Sequence, residues 1–364
     1  MRNAGVRIAA LGVAVGAVLL AGGCGAEQPP APAITPIEQP GQGGEVFAYR
    51  SAGELAVVRG ADTFRAPGSF GYSSAAVSFT RDGQFAFAVE TSSKTLVAVN
   101  VRDGAVSRTE CDCTDAVPLR DAVVGWWREP GQVMSLDLAG TAPAEPERDI
   151  VLPDSPSPRT GGAWDGARLV AAGDEFLLLS RVESRGLWWE KNHLYAISAD
   201  AVLPLGRVPG IDAQVSAAPG PDEGTFVLAG STARSASCGI GYVATIDVRT
   251  NAVQELPTLP GECSSAYSPR WGGDDTISVA NRSWADVAGA PSTVDRLHAA
   301  AQGWASVGEQ PVVDRLARER ELVIEVLAGA PIDARETPHG VLVVEKDGTR
   351  AEVATQVVSL GSPA

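Results

Sequence analysis

Val77-Ser78-Phe79-Thr80-Arg81-Asp82-Gly83-Gln84-Phe85-Ala86-Phe87-Ala88-Val89 opens the stretch that decides the fold. Val77–Thr80 reads as a strand, Arg81-Asp82-Gly83 as a turn, and Gln84–Val89 as a second strand. Ser92-Ser93-Lys94 turns the chain again into Thr95-Leu96-Val97-Ala98-Val99-Asn100. Asp103-Gly104 then leads into a fourth run, Ala105-Val106-Ser107-Arg108-Thr109. Short apolar runs separated by Gly and Asp turns are the pattern of antiparallel strands. Four of them in about 35 residues make one blade of a β-propeller.

The same third strand recurs along the chain. His193-Leu194-Tyr195-Ala196-Ile197-Ser198 is one copy. Tyr242-Val243-Ala244-Thr245-Ile246-Asp247-Val248-Arg249-Thr250-Asn251-Ala252-Val253 is another, with its turn and fourth strand. The cores at Leu96, Leu194 and Tyr242 lie 98 and 48 residues apart, and Val133-Met134-Ser135-Leu136-Asp137-Leu138 divides the first gap. A period of about 40 to 60 residues suits blades with loop insertions. Residues 45–362 then hold about seven four-stranded blades, with six possible. The first unit, residues 45–67, has only three strand runs, so Val353–Leu360 is expected to supply its fourth strand and close the ring. Ser292–Ala301 and Leu316–Leu322 fit less well and can be read as helical. If both were helices, residues 290–364 would form a separate α+β module.

These repeats resemble TolB-like and YVTN-type bacterial propellers, with Phe79-Thr80-Arg81-Asp82-Gly83 standing where that family has Ser-Pro-Asp-Gly. The resemblance implies the propeller fold and no particular reaction.

The amino terminus reads as an address. Arg2 and Arg7 precede an uncharged run, residues 8–22, which is too short for a comfortable membrane span of about 20 apolar residues. It suits a secretory signal. The run ends in Leu20-Ala21-Gly22-Gly23-Cys24-Gly25, which resembles the lipobox of bacterial lipoproteins, with Leu20 four residues before the cysteine. That resemblance implies a diacylglyceryl group on Cys24, which incorporates palmitate, cleavage after residue 23, and anchoring of the protein on the extracytoplasmic side of the cell membrane. Residues 24–44 are then a lipidated cysteine and a Pro/Gly-rich tether, and residues 45–364 the propeller. At roughly 3.1 Å per residue the tether reaches about 60 Å. Removing the signal leaves 27 bases against 44 acids, a formal charge of −17. Such a chain is repelled by anionic lipid, so the Cys24 anchor must hold it at the bilayer.

Charge also bears on partners. With 44 acidic against 29 basic residues and no basic stretch, a nucleic-acid partner is excluded. Four cysteines remain, Cys111, Cys113, Cys238 and Cys263, an even number that in an exported chain reads as disulfides. Three connectivities are open. The positions at two separated blade boundaries favour the local pairs. A Cys238–Cys263 bridge would close about 26 residues and contribute roughly 3 kcal/mol. A Cys111–Cys113 bridge stabilises less. Cys111-Asp112-Cys113 can also be read as a metal or redox site, but His193, His298 and His339 lack ligand spacing, so no metal or other cofactor is expected.

Trp126-Trp127 and Trp188-Trp189 are the unusual aromatic pairs. On a strand, neighbours face opposite sides, so one of each pair should pack between blades and the other face a neighbour or solvent. An aromatic platform at a propeller face is the functional alternative. The acids Asp112, Asp115, Asp274 and Asp275 read as turn residues, and no nucleophile elbow, phosphate loop or zinc-protease motif is found. The expected protein is a monomeric lipid-anchored propeller that binds a cell-envelope protein or polymer. The alternative is a propeller enzyme, a lactonase-like hydrolase or quinone-dependent dehydrogenase. A solute-binding lipoprotein is disfavoured, because that fold alternates helices with strands.

Overall fold

The computed structural model describes residues 45–363, apart from 71–75, 154–162, 185–189, 236–237, 273–274, 288–289, 319–321, 330–337 and 347. Among the described residues every regular element is a strand. The strands form five four-stranded antiparallel sheets and one seven-stranded sheet.

In chain order, β1 (Val46–Ser51), β2 (Glu54–Arg59) and β3 (Asp62–Pro67) belong to blade 1. Blade 2 holds β4 (Ser78–Phe79), β5 (Phe85–Glu90), β6 (Thr95–Asn100) and β7 (Val106–Glu110). Blade 3 holds β8 (Val117–Arg120), β9 (Val123–Arg128), β10 (Gln132–Asp137) and β11 (Glu145–Asp149). Blade 4 holds β12 (Ala163–Ala172), β13 (Leu177–Ser184), β14 (Glu190–Ile197) and β15 (Val202–Gly206). Blade 5 holds β16 (Ala213–Pro219), β17 (Thr225–Ala233), β18 (Gly239–Asp247) and β19 (Ala252–Glu255). Blade 6 holds β20 (Cys263–Trp271), β21 (Ile277–Trp284), β22 (Thr293–Ala300) and β23 (Gly303–Ser306). Blade 7 holds β24 (Val312–Arg318), β25 (Leu322–Ala328), β26 (Gly340–Lys346) and β27 (Thr349–Gly361).

The seven-stranded sheet is two blades joined by β27. Its first part pairs with β26, from Lys346↔Thr349 to Gly340↔Val357. Its last part pairs with β1, from Ser51↔Val357 to Ala48↔Gly361. Gln356, with φ 55°, turns the strand between the two tasks. The end of the chain is therefore the innermost strand of blade 1, as the three-strand first unit predicts. Counted this way the ring has seven four-stranded blades.

The core lies in layers between blades. Trp126, Phe87, Leu96 and Met134 share the layer between blades 2 and 3. Trp127, Leu169, Leu179 and Tyr195 share the next one. Phe176, Leu194, Phe226 and Ile246 fill that between blades 4 and 5. Each central strand is thus buried on both faces, which removes the polar half of the usual alternation.

That explains the two misread segments. Ser292–Ala301 is not a helical turn but contains β22, with Val294 packed toward blade 7 and Leu297 toward blade 5. Leu316–Leu322 is not a helix either: Leu316–Arg318 ends β24 and Leu322 opens β25. Residues 290–364 form no separate module, since they supply blade 7, half of blade 6 and the closing strand, within one compact unit from Glu38 to Ala364.

Candidate functional site: the axial channel

The first strand of blades 2 to 7 and the end of β27 in blade 1 lie innermost, and with the adjoining turns they line an axial cavity of about 600 Å³. An innermost strand has a pairing partner on one side only, so its other edge offers unpaired backbone groups to the channel. Arginines meet many of these carbonyls across blade boundaries. Arg168 Nη2 donates to Val215 O at 2.7 Å. Arg270 donates to Arg315 O at 3.3 Å and to Leu360 O, while Arg296 Nη2 donates to Ser268 O at 3.0 Å within its own blade 6. Arg81, at the first turn of blade 2, reaches Ala172 O at 3.2 Å and Gly173 O at 2.6 Å in blade 4 and pairs with Asp174. A planar guanidinium with five donors suits this bridging.

The innermost strands are also irregular. Register shifts fall between Pro118 and Arg120, Ala213 and Ser216, Tyr267 and Arg270, and Val312 and Asp314. A bulge bends the strand and re-aims its side chains, here where the strands crowd around the axis.

Asp314 is the centre of the closure. Its side chain is 3% exposed and pairs with Arg270 at 2.7 Å and Arg296 at 3.2 Å. It also accepts the backbone N–H of Leu360 at 2.8 Å and of Arg315 at 2.9 Å. Burial lowers the Arg296 guanidinium to about 10, the cost of enclosing a cation, which Asp314 opposes. Burial likewise raises the Tyr267 phenol beside this group. At another point of the wall, Arg168 Nη1 pairs with Asp115 at 3.1 Å and joins blades 3, 4 and 5.

The sequence candidates are distributed differently. Cys111–Cys113 and Cys238–Cys263 are disulfides, so the local pairing is the one adopted. Asp112 between the first two has φ 49° and its carboxylate meets Lys94 Nζ at 2.5 Å. The Sγ atoms of Cys238 and Cys263 lie with a carboxylate oxygen of Asp286 within 4.8 Å of one another, but both sulfurs are spent in the bridge rather than available as thiolate ligands. Trp126 and Trp127 are both buried, one in the layer on each side of blade 3, so neither presents a platform. Trp188, Trp189, Asp274 and Cys24 lie outside the described residues. Asp275 has φ 60°, as a turn residue does. His193 meets Glu183 at 3.1 Å inside blade 4, apart from His298 in blade 6 and His339 before β26.

Of the singled-out acids among the described residues, Asp115 reaches the channel wall. Arg81, Arg168, Arg270 and Asp314 were not apparent in the sequence. Their signal is a charge at the inner strand or first turn of a blade, readable only once that strand is known to be innermost.

No protein-family model matches the chain, and no curated protein matches it. Similar solved structures are propellers of low identity. The β-propeller domain of the Trilobed protease from Pyrococcus furiosus, described as having an open velcro topology, is 8% identical, with 86% of this chain and 96% of that one covered and a TM-score of 0.48. A protein from Lactobacillus plantarum is 11% identical over 87% and 99%, with a TM-score of 0.49. BamB from Moraxella catarrhalis is 12% identical over 79% and 92%, with a TM-score of 0.42. The fold is a β-propeller. Its ring is closed through β27, which pairs with both β26 and β1.

Proposed function

We propose that this chain is a lipid-anchored, extracytoplasmic binding module whose propeller holds a cell-envelope protein or polymer. The observation that carries the binding reading is the state of the channel charges. Asp115 and Asp314 are each ion-paired with an arginine of a neighbouring blade, and Arg81 spans from blade 2 to blade 4. Groups so engaged maintain a shaped cavity. The cavity volume suits a ligand site. Anchoring is supported by the Leu20–Gly25 segment and the Pro-rich tether.

The test is labelling with radioactive palmitate in the bacterial cell, followed by membrane fractionation and purification. Label is expected in the wild type and lost in Cys24→Ala, with a stoichiometric envelope component co-purifying with the wild type. Absence of label in the wild type, or equal label in the variant, would overturn the anchor. A wild-type protein that purifies with no stoichiometric component would overturn the partner reading.

A further inference from the structure

The chain carries a formal charge of −15, yet its axis has the opposite sign. Among the described residues, the charged groups lining the cavity are Arg81, Arg168, Arg270, Asp115 and Asp314. The arginine side chains are 28%, 26% and 26% exposed, whereas Asp314 is 3% exposed and covered by Arg270 and Arg296. Asp174, the partner of Arg81, is 74% exposed. What the channel presents is therefore three guanidiniums against the half-covered Asp115. They belong to blades 2, 4 and 6, with the Arg81 guanidinium reaching across to the blade 4 side of the channel. The Arg81 Nε is buried and has no hydrogen-bond partner.

We infer that the axial channel binds an oxyanion, a carboxylate- or phosphate-bearing small molecule, through Arg81, Arg168 and Arg270. The guanidinium fork matches the paired oxygens of either group. Low-dielectric protein walls focus the field of these guanidiniums on the cavity, which draws an anion inward against the net charge of the protein. Ligand sites run to roughly 300–1,000 Å³, and the channel at about 600 Å³ holds a molecule larger than a bare ion. The inference rests on the reading of the channel as a ligand site and adds a small anionic ligand to the envelope partner proposed above.

The experiment is isothermal titration of the purified protein at low salt with citrate, with inorganic phosphate, and with neutral xylitol. Arg168→Gln and Arg81→Gln are titrated alongside, their folding followed by circular dichroism. One oxyanion is expected to bind at one site per chain, which identifies the carboxylate or the phosphate source. Its affinity should fall by about tenfold or more in each folded variant, the loss of one charge-assisted contact. Xylitol should give no saturable heat. No saturable binding of either oxyanion to the wild type, equal binding of xylitol, or unchanged affinity in the variants would overturn the inference. Wild-type crystals soaked in selenate give the same answer without a substitution: an anomalous peak within hydrogen-bonding reach of these guanidiniums supports the site, and none there refutes it. The two proposals fail separately. Loss of anion binding leaves palmitate labelling at Cys24 untouched, and an unlabelled chain that binds the anion refutes the anchor alone.

Discussion

Replacing Asp314 by alanine removes the counter-charge from Arg296, which is 1% exposed, and the acceptor from the Leu360 N–H. A buried ion pair broken from one side leaves its partner charged, desolvated and uncompensated, at a cost of about 3–5 kcal/mol. We expect Asp314→Ala to lose that much stability in a denaturant titration, while Asp112→Ala, which breaks only the exposed pair with Lys94, changes it by less than ~1 kcal/mol. Burial pushes the carboxyls of Glu90 and Asp212 up, but their bonds hold both below their ordinary values. Glu90 accepts the Ser69 N–H at 2.8 Å and the Ser93 hydroxyl at 2.9 Å, and pairs with Arg108 at 3.3 Å. Asp212 pairs with Lys191 at 2.5 Å and accepts the Thr232 hydroxyl at 2.7 Å. Because the folded values lie below the unfolded ones, near 4.3 for Glu and about 3.9 for Asp, the stability they contribute is complete above that range. It is lost as pH falls through the folded values. Thermal midpoints should therefore decline below about pH 4, and less steeply in Glu90→Gln.

At the scale of elements, β27 has two roles. Ending the chain at Gly348 deletes the outer strand of blade 7 and the inner strand of blade 1 together, and with them the Leu360 contacts of Asp314 and Arg270. The truncated chain should show a markedly lower melting temperature and an exposed edge prone to association; an unchanged melting temperature would contradict the closure. This element was legible in the sequence because a three-strand first unit must find a fourth. The third strands at Leu96, Leu194 and Tyr242 were legible for a similar reason: each is followed by a short turn and a fourth run, as at Asp103-Gly104 after β6. Thr293–Ala300 was not, because burial on both faces lets Val294, Arg296 and Leu297 all be interior and erases the period-two signal. Arg168 and Arg270 were silent for another reason. A guanidinium on a strand has no distinctive spacing, and its meaning depends on an open backbone edge that belongs to a different blade.

Across the whole molecule, stability is spread over layers between neighbouring blades rather than held in one central core. The axis is left for arginines, carbonyls and a cavity. The two disulfides lie at the boundaries of blades 2 and 3 and of blades 5 and 6, and each joins cysteines near in sequence. Neither ties the two ends of the ring, so that join rests on β27 and its hydrogen bonds. One of them, from Val77 N–H to Ser359 Oγ, spans 282 residues. This sets an order in time. During synthesis β1, β2 and β3 are made well before β27 and wait, with the inner edge of β1 bare, until that strand emerges. A chain that stops short of β27 cannot finish the ring. A cell must keep that early edge from pairing with the wrong strand until β27 is out, and the short β1–β3 unit is the part on which such protection would act.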